Sequence, residues 1–188
     1  SQLAAMTTTQ IAAMEASDLA AITTANITGL TTAQVAGLGT TQVSSLTTSQ
    51  LVAMTTAQIA AIETADVAAM GTTQVAALTT AQVVGLGSTQ ISSMTTTQLV
   101  AMTTAQIAAI QTADVAAMGT TQVASLTTTQ LVSATTAQIA GLTTAQVAGL
   151  GTTQVSSLTS SQLAAMTTTQ LVAMETSDLA VVTTSQLA

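Results

Sequence analysis

The chain alternates short apolar and polar segments with a strict period of eight residues. Residues 7–14 form the first complete octad, which reads Thr-Thr-x-Gln, aliphatic, small, small, apolar, and the register holds as far as Leu187. We number the positions of each octad one to eight, with Thr7 at position one. Such a short, strict period is typical of a stacked array in which every repeat buries its apolar side against its neighbours.

Large apolar side chains occupy positions five and eight. Position five is always Leu, Ile or Val, and position eight is large and apolar in every octad except at Ala134. The spacing of these positions alternates between three and five residues, which places them on opposite faces of a strand but on one face of a helix. The pattern therefore predicts short helices with positions five and eight inside. A β-solenoid is the alternative, because Thr and Val are abundant.

The helix must break once in every octad. Eight residues at about 100° each overshoot two helical turns by roughly 80°, so a continuous helix would spread its apolar positions around the whole cylinder. The Thr-Thr pair can supply the break in two ways. We favour a capping hydroxyl at position two, which is Thr or Ser everywhere except at Ala16. The alternative is a capping box between position one and the Gln at position four.

The residue at position one varies with a longer period. Glycine stands there at residues separated by multiples of 16, where we expect the left-handed conformation that ends a preceding helix: Gly39, Gly71, Gly87, Gly119 and Gly151. Acidic or amide variants lie at intervals that are also multiples of 16, offset from the glycines by eight: Glu15, Glu63, Gln111 and Glu175. Two classes of octad thus alternate. We predict an all-α, two-sided solenoid of very short helices, with octads paired into 16-residue coils.

The same pattern separates an inside from an outside. Val83→Asp at position five is expected to cost several kcal/mol, because it would bury an unpaired charge. Gln82→Glu at position four is expected to change stability little. We expect residues 1–188 to form a single continuous array that is itself a segment of a longer one.

Composition excludes several classes of function. The chain contains no Lys, Arg, His, Cys, Trp, Tyr, Phe or Pro and has a net charge of −7. Without Lys or Arg it cannot neutralise phosphates, so we predict no nucleic-acid partner. The usual general bases, activated nucleophiles and soft-metal ligands are also missing, so we predict neither an enzyme nor a cofactor. No apolar run approaches the roughly 20 residues of a membrane span.

The carboxylates are few and come mostly in pairs three residues apart. Carboxylate oxygens bind Ca²⁺, so the pairs are candidate calcium ligands: Glu15 with Asp18, Glu63 with Asp66, and Glu175 with Asp178. A fourth aspartate, Asp114, stands beside Gln111. The alternative is that Asp at position four simply replaces Gln near a helix N-terminus, where negative charge is favourable.

The string Leu-Thr-Thr-Ala-Gln-Val-Ala-Gly-Leu at residues 30–38 recurs at 142–150. It resembles the octapeptide tracts, LTTxQ(I/V)xxL, of very large bacterial secreted and surface proteins that are described as adhesin-like or haem-utilisation exoproteins. The resemblance covers the whole chain and transfers no functional residue. It implies a stalk-like or filament-forming segment outside the cell or at its surface.

We therefore expect a structural, extracellular repeat protein that forms a rod or filament. Its expected partners are further copies of itself or neighbouring segments of the same protein. The alternative is a repetitive binding surface of an adhesin, for ice, glycan or calcium, spread along the Thr rows or the acidic edges. Capping argues against ice binding, because it would consume the hydroxyls.

Overall fold

The computed structural model describes residues 2–187, and all its regular structure is helical. Over these residues it contains 23 short α-helices, a 3₁₀ turn at Leu3–Ala5 and no β-strand. The predicted all-α solenoid of short helices is confirmed, and the β-solenoid alternative is wrong. Ser1 and Ala188, the ends of the predicted array, lie outside the described residues.

The chain divides into two compact units, residues 1–94 and residues 95–188. The first unit contains α1 (Thr8–Ala12), α2 (Ala16–Ala21), α3 (Thr24–Ile27), α4 (Thr32–Ala36), α5 (Thr40–Ser45), α6 (Thr48–Ala53), α7 (Thr56–Ala60), α8 (Thr64–Ala69), α9 (Thr72–Ala77), α10 (Thr80–Gly85) and α11 (Ser88–Ser93). The second unit contains α12 (Thr96–Ala101), α13 (Thr104–Ala109), α14 (Thr112–Ala117), α15 (Thr120–Ser125), α16 (Thr128–Ser133), α17 (Thr136–Ala140), α18 (Thr144–Ala148), α19 (Thr152–Ser157), α20 (Ser160–Ala165), α21 (Thr168–Ala173), α22 (Thr176–Leu179) and α23 (Thr184–Leu187).

Each helix begins after a residue at position one that acts as its N-cap. At α4, the Thr31 hydroxyl accepts a hydrogen bond from the Gln34 backbone N–H at 3.2 Å, and Gln34 Oε1 accepts one from the Thr31 N–H at 2.7 Å. This reciprocal pair is the capping box. The preference for position two was wrong, because Thr32 at that position is already the first helical residue. A capping hydroxyl comes from the residue just before the first helical residue, where it can accept from the free N–H groups of the first turn. Thr32 lies one residue too late for this role.

Glycine at position one adopts the same extended conformation as threonine. Gly39 has φ −96° and Gly71 has φ −70°, and none of the described glycines has a positive φ. The expected left-handed glycine is therefore wrong. The N–H of Gly39 still donates to Gln42 Oε1 at 3.0 Å, so position one needs its backbone amide more than its hydroxyl.

Within each unit, each helix stacks on the third helix along the chain. In the first unit α4 packs against α7 and α5 against α8, and in the second unit α17 packs against α20 and α18 against α21. One coil within each unit therefore contains three helices and 24 residues. The prediction of two-sided, 16-residue coils is wrong.

The three sides of a coil offer nearly the same contacts to glycine and threonine octads. Gln42, in a glycine octad, donates from Nε2 to the carbonyls of the residues 31 and 28 positions earlier, and Gln50, in a threonine octad, does the same. A 16-residue insertion therefore moves octads to another side of the coil without loss of contacts. The 16-residue spacing of the variants reflects the sequence's repetition and does not measure the coil.

Positions five and eight form the core, as predicted. Val83 is fully buried and Leu86 nearly so. The small residues at position seven let the stacked helices approach closely: a Cβ added to Gly85 would lie 3.4 Å from Thr56 Cβ on α7. Close packing of this kind supplies the dispersion contacts that helices of four to six residues need, since they are unstable alone.

Ala134, the one small residue at position eight, leaves a cavity of about 20 Å³ in the second unit. The equivalent residues one coil earlier and one coil later are Ile110 and Leu158, so the fold accepts a large side chain at this place. We expect Ala134→Leu to raise the free energy of unfolding by about 1 kcal/mol, because it buries methylene groups at the cost of some local repacking.

The measurement is thermal unfolding followed by circular dichroism. A gain of this size would raise the melting temperature by about 2–4 °C in a chain of this length. Ala124→Leu is the control, since Ala124 is exposed and the added side chain would gain little. A drop in melting temperature for Ala134→Leu alone would show that the cavity cannot open to accept a leucine.

Candidate functional site: the glutamine locks

The residue at position four is the main buried polar group of the stack. Gln82 is only 2% exposed, so its assignment to the surface was wrong. Its Oε1 accepts a hydrogen bond from the Thr79 N–H at 2.9 Å, and its Nε2 donates to the carbonyls of Leu51 and Met54, both at 2.8 Å. One side chain thus closes the start of its own helix and binds the preceding coil. We call this set of hydrogen bonds a glutamine lock.

The lock recurs in both units with little variation. Gln74 donates to the Leu46 carbonyl at 2.7 Å in the first unit, and Gln146 donates to the Met118 carbonyl at 2.7 Å in the second. One accepting carbonyl belongs to position eight, where the chain leaves the helix, and a second belongs to position five, as with Val43 for Gln74 and Val115 for Gln146. A carboxamide suits this place because it carries an acceptor and two donors on one planar group.

A sequence signal for the lock exists at position four. The position holds Gln, Asp or Asn in every octad and never Glu. Glutamine fills most octads, although glutamate has the same shape and caps helices equally well, so this preference favours a role for the NH₂ group, to which the four aspartates are exceptions. The acceptors lie about four octads earlier in the chain, and no local pattern identifies them.

The structure separates the two carboxylates of each predicted calcium pair. The glutamates stand at N-cap positions and are exposed: Glu15, Glu63 and Glu175. Asp66 and Asp178 occupy the lock position and are buried, whereas Asp18 belongs to the first coil and is exposed. Each pair therefore contributes one surface carboxylate and, in the stacked coils, one interior carboxylate.

Burial shifts the protonation of the two interior aspartates, Asp66 and Asp178. Desolvation raises the pKa of Asp66 above its ordinary value, and the charge of Glu63 raises it further. The pKa of Asp178 is raised by desolvation and by Glu175, while the backbone N–H of Glu175 acts in the opposite direction. Asp178 Oδ2 is buried and has no hydrogen-bond partner. These carboxyls favour the protonated form more than a surface aspartate does.

No three acidic side chains come together within residues 2–187. The octads of Glu15 and Glu63 lie 48 residues apart, which is two coils. Ca²⁺ takes six to eight oxygen ligands, and each pair supplies only two carboxylates, of which at least one faces solvent. Calcium binding at these residues stays a prediction.

The helices described over residues 2–187 are at most six residues long. None has the length and apolar content of a transmembrane helix.

Comparison with known families agrees with the repeat. The ALTTAQ repeat family matches residues 11–48, 59–96, 107–144 and 135–168, which together exceed half of the chain. The first three matches begin 48 residues apart, the length of two coils. No curated protein and no solved structure matches the chain.

Proposed function

The chain belongs to the ALTTAQ repeat family, and on that premise we propose that it is a structural, extracellular repeat protein that acts as a filament subunit or as the stalk segment of a surface protein. The glutamine lock is the observation that carries this proposal. The buried amide of each stacked glutamine octad joins one coil to the next, as Gln58 joins the Leu30 carbonyl and Gln170 the Leu142 carbonyl. The buried polar groups of the repeat thus serve to stack one coil on the next.

Stacking of this kind makes stability a sum of equal steps. A hydrogen bond contributes about 1 kcal/mol net, and every stacked octad with Gln at position four repeats the lock beside its core side chains. Arrays built from such units gain stability mainly from contacts between neighbours. Length can therefore be changed in whole octads without altering the local structure, which suits a spacer or a filament.

The last coil of the second unit leaves an apolar face open. Leu179, Val182 and Leu187 line a broad cleft there, and Leu187 is 74% exposed. A further stretch of the same repeat fits this face, because its glutamines would reach the carbonyls of Met166 and Met174 in the established 28-residue register. The partner is either a following segment of the same protein or a second copy of the chain.

We expect electron microscopy of the 188-residue chain to show filaments formed by end-to-end stacking. Leu187→Asp should reduce their length or abolish them, because it places a charge on the stacking face. Val132→Asp is the matched control: Val132 is 43% exposed on α16, away from the open face, and its replacement should leave filaments intact.

The other outcomes separate the remaining functions. Thin stalks that end in globular heads, seen when native material is imaged, would favour the spacer over the filament. Compact monomers with thermal hysteresis, or with stability that depends on calcium, would overturn the structural proposal in favour of a binding surface.

A further inference from the structure

Asp178 occupies the lock position of an octad whose two neighbours have complete locks. Gln170 donates from Nε2 to the Leu142 carbonyl and Gln186 to the Leu158 carbonyl, both at 2.7 Å. The same 28-residue register directs Asp178 to the carbonyl of Leu150. Its helix, α22, packs against α19, which begins two residues after Leu150. This corner, where the start of α22 meets the preceding coil, is therefore built like the corners beside it, except for one side chain.

A carboxylate cannot make the bonds of a glutamine lock. Ionised aspartate offers only acceptors, and the groups that the lock joins in the preceding coil are carbonyl oxygens, which are also acceptors. Asp178 is 2% exposed, and its Oδ2 has no partner. A buried polar oxygen left in this state is costly. The corner thus has acceptors where a glutamine lock has a donor.

We propose that Asp178 is a proton-operated lock. When its carboxyl is protonated, Oδ2–H donates to the Leu150 carbonyl and closes the corner as glutamine does. When the proton leaves, the oxygens repel one another and the corner loosens. Asp66 holds the equivalent position in the first unit, opposite the carbonyl of Leu38, and would act in the same way.

The surroundings of both aspartates favour a proton. The helix packed on α22 is α19, and those packed on α8 are α5 and α11; none of these three contains an ionisable side chain. The charged groups beside the two aspartates are the glutamates of their own turns, Glu175 and Glu63, and negative charge there disfavours ionisation. A metal ion would need several more oxygen ligands than one carboxylate per corner provides.

The direction of the pH effect follows from the raised pKa of both carboxyls. A group whose pKa is higher in the folded state contributes stability below its unfolded pKa, and this contribution is lost as the pH rises through the folded pKa. The aspartate corners should therefore be closed in acid and loosened at neutral pH. The glutamine locks do not titrate, so the sensitivity to pH lies in the coils that have a buried aspartate at position four.

Asp178→Asn tests the proposal, because asparagine keeps the shape and supplies an N–H at any pH. We expect the variant to melt a few degrees above the wild type at about pH 8 and close to it at about pH 4, with EDTA present throughout. Asp18→Asn is the matched control. Asp18 follows the same Glu-x-Ser sequence but is exposed in the first coil, so its replacement should change neither value.

A direct titration provides a second measurement that does not depend on unfolding. NMR of the carboxyl carbons should give Asp178 a midpoint above the ordinary aspartate value of about 3.9. A midpoint at the ordinary value would overturn the proposal, as would an Asp178→Asn variant that is equally destabilised in acid and base. Stabilisation of the wild type by calcium, absent in Asp178→Asn, would also overturn it and assign the carboxylate to a metal.

Discussion

Gln82→Glu is expected to lower the free energy of unfolding of the first unit by about 4 kcal/mol near pH 7. The substitution keeps the shape of the side chain but removes the NH₂ group that donates to the Leu51 and Met54 carbonyls. A glutamate there must either remain ionised against two acceptors or take up a proton. Protonation costs about 1.4 kcal/mol for each pH unit above the ordinary glutamate pKa of about 4.3, which gives the stated value.

Thermal unfolding followed by circular dichroism at several pH values checks this prediction. The pKa of the new carboxyl would be raised on folding, so the loss of stability should be largest at neutral pH and should shrink in acid. Ala81→Glu is the matched control. It adds the same charge to the adjacent, exposed residue of α10, in the first turn of the helix, where a negative charge is tolerated well. Equal, small effects of the two variants would show that Gln82 does not hold the coils together.

The sequence predicted the parts of the fold that depend on local geometry. Core positions five and eight follow from the three-and-five spacing, and Val83 and Leu86 are buried accordingly. The break at the Thr-Thr pair follows from the mismatch between eight residues and the helical turn. The capping box between Thr79 and Gln82 was among the two schemes that the sequence allowed.

The number of helices in a coil could not be obtained in this way. It depends on the angle between successive helices, which is set by two extended residues at each corner. Met54 and Thr55, for example, have ψ values of 146° and 159°. Small changes in these angles separate a two-sided from a three-sided coil, and they are fixed by packing between coils. The 16-residue period of the glycines carried no information about that packing.

The lock position was misjudged for a related reason. Glutamine is usually found at the surface, and the capping box gave Gln82 a sufficient local role. Its second role depends on carbonyls 28 and 31 residues earlier, which become neighbours only when the coil has three sides. The burial of two aspartates was missed with it. Asp66 and Asp178 resemble surface calcium ligands in sequence, whereas the stacked coils place them inside.

Val83→Asp is expected to have the largest effect of any variant considered. Val83 is fully buried and its neighbours in the core are apolar, so the new carboxyl would find no donor. Protonating it near pH 7 costs about 4 kcal/mol, and the lost burial of the valine adds about 1.5–3 kcal/mol. The sum of more than about 5 kcal/mol equals much of the stability of an ordinary domain.

Val84→Asp separates the effect of burial from that of charge and helix propensity. Val84 is the next residue of α10 and is 45% exposed, so its replacement should change the free energy of unfolding by no more than about 1 kcal/mol. Circular dichroism should show folded helix in Val84→Asp and a severe loss of helix or of melting temperature in Val83→Asp.

Because each coil depends on its neighbours, the damage from Val83→Asp should extend beyond its own octad. Hydrogen exchange should detect faster exchange in α7, which packs directly against α10. Protection of α7 that matches the wild type would mean that coils of this stack fold independently.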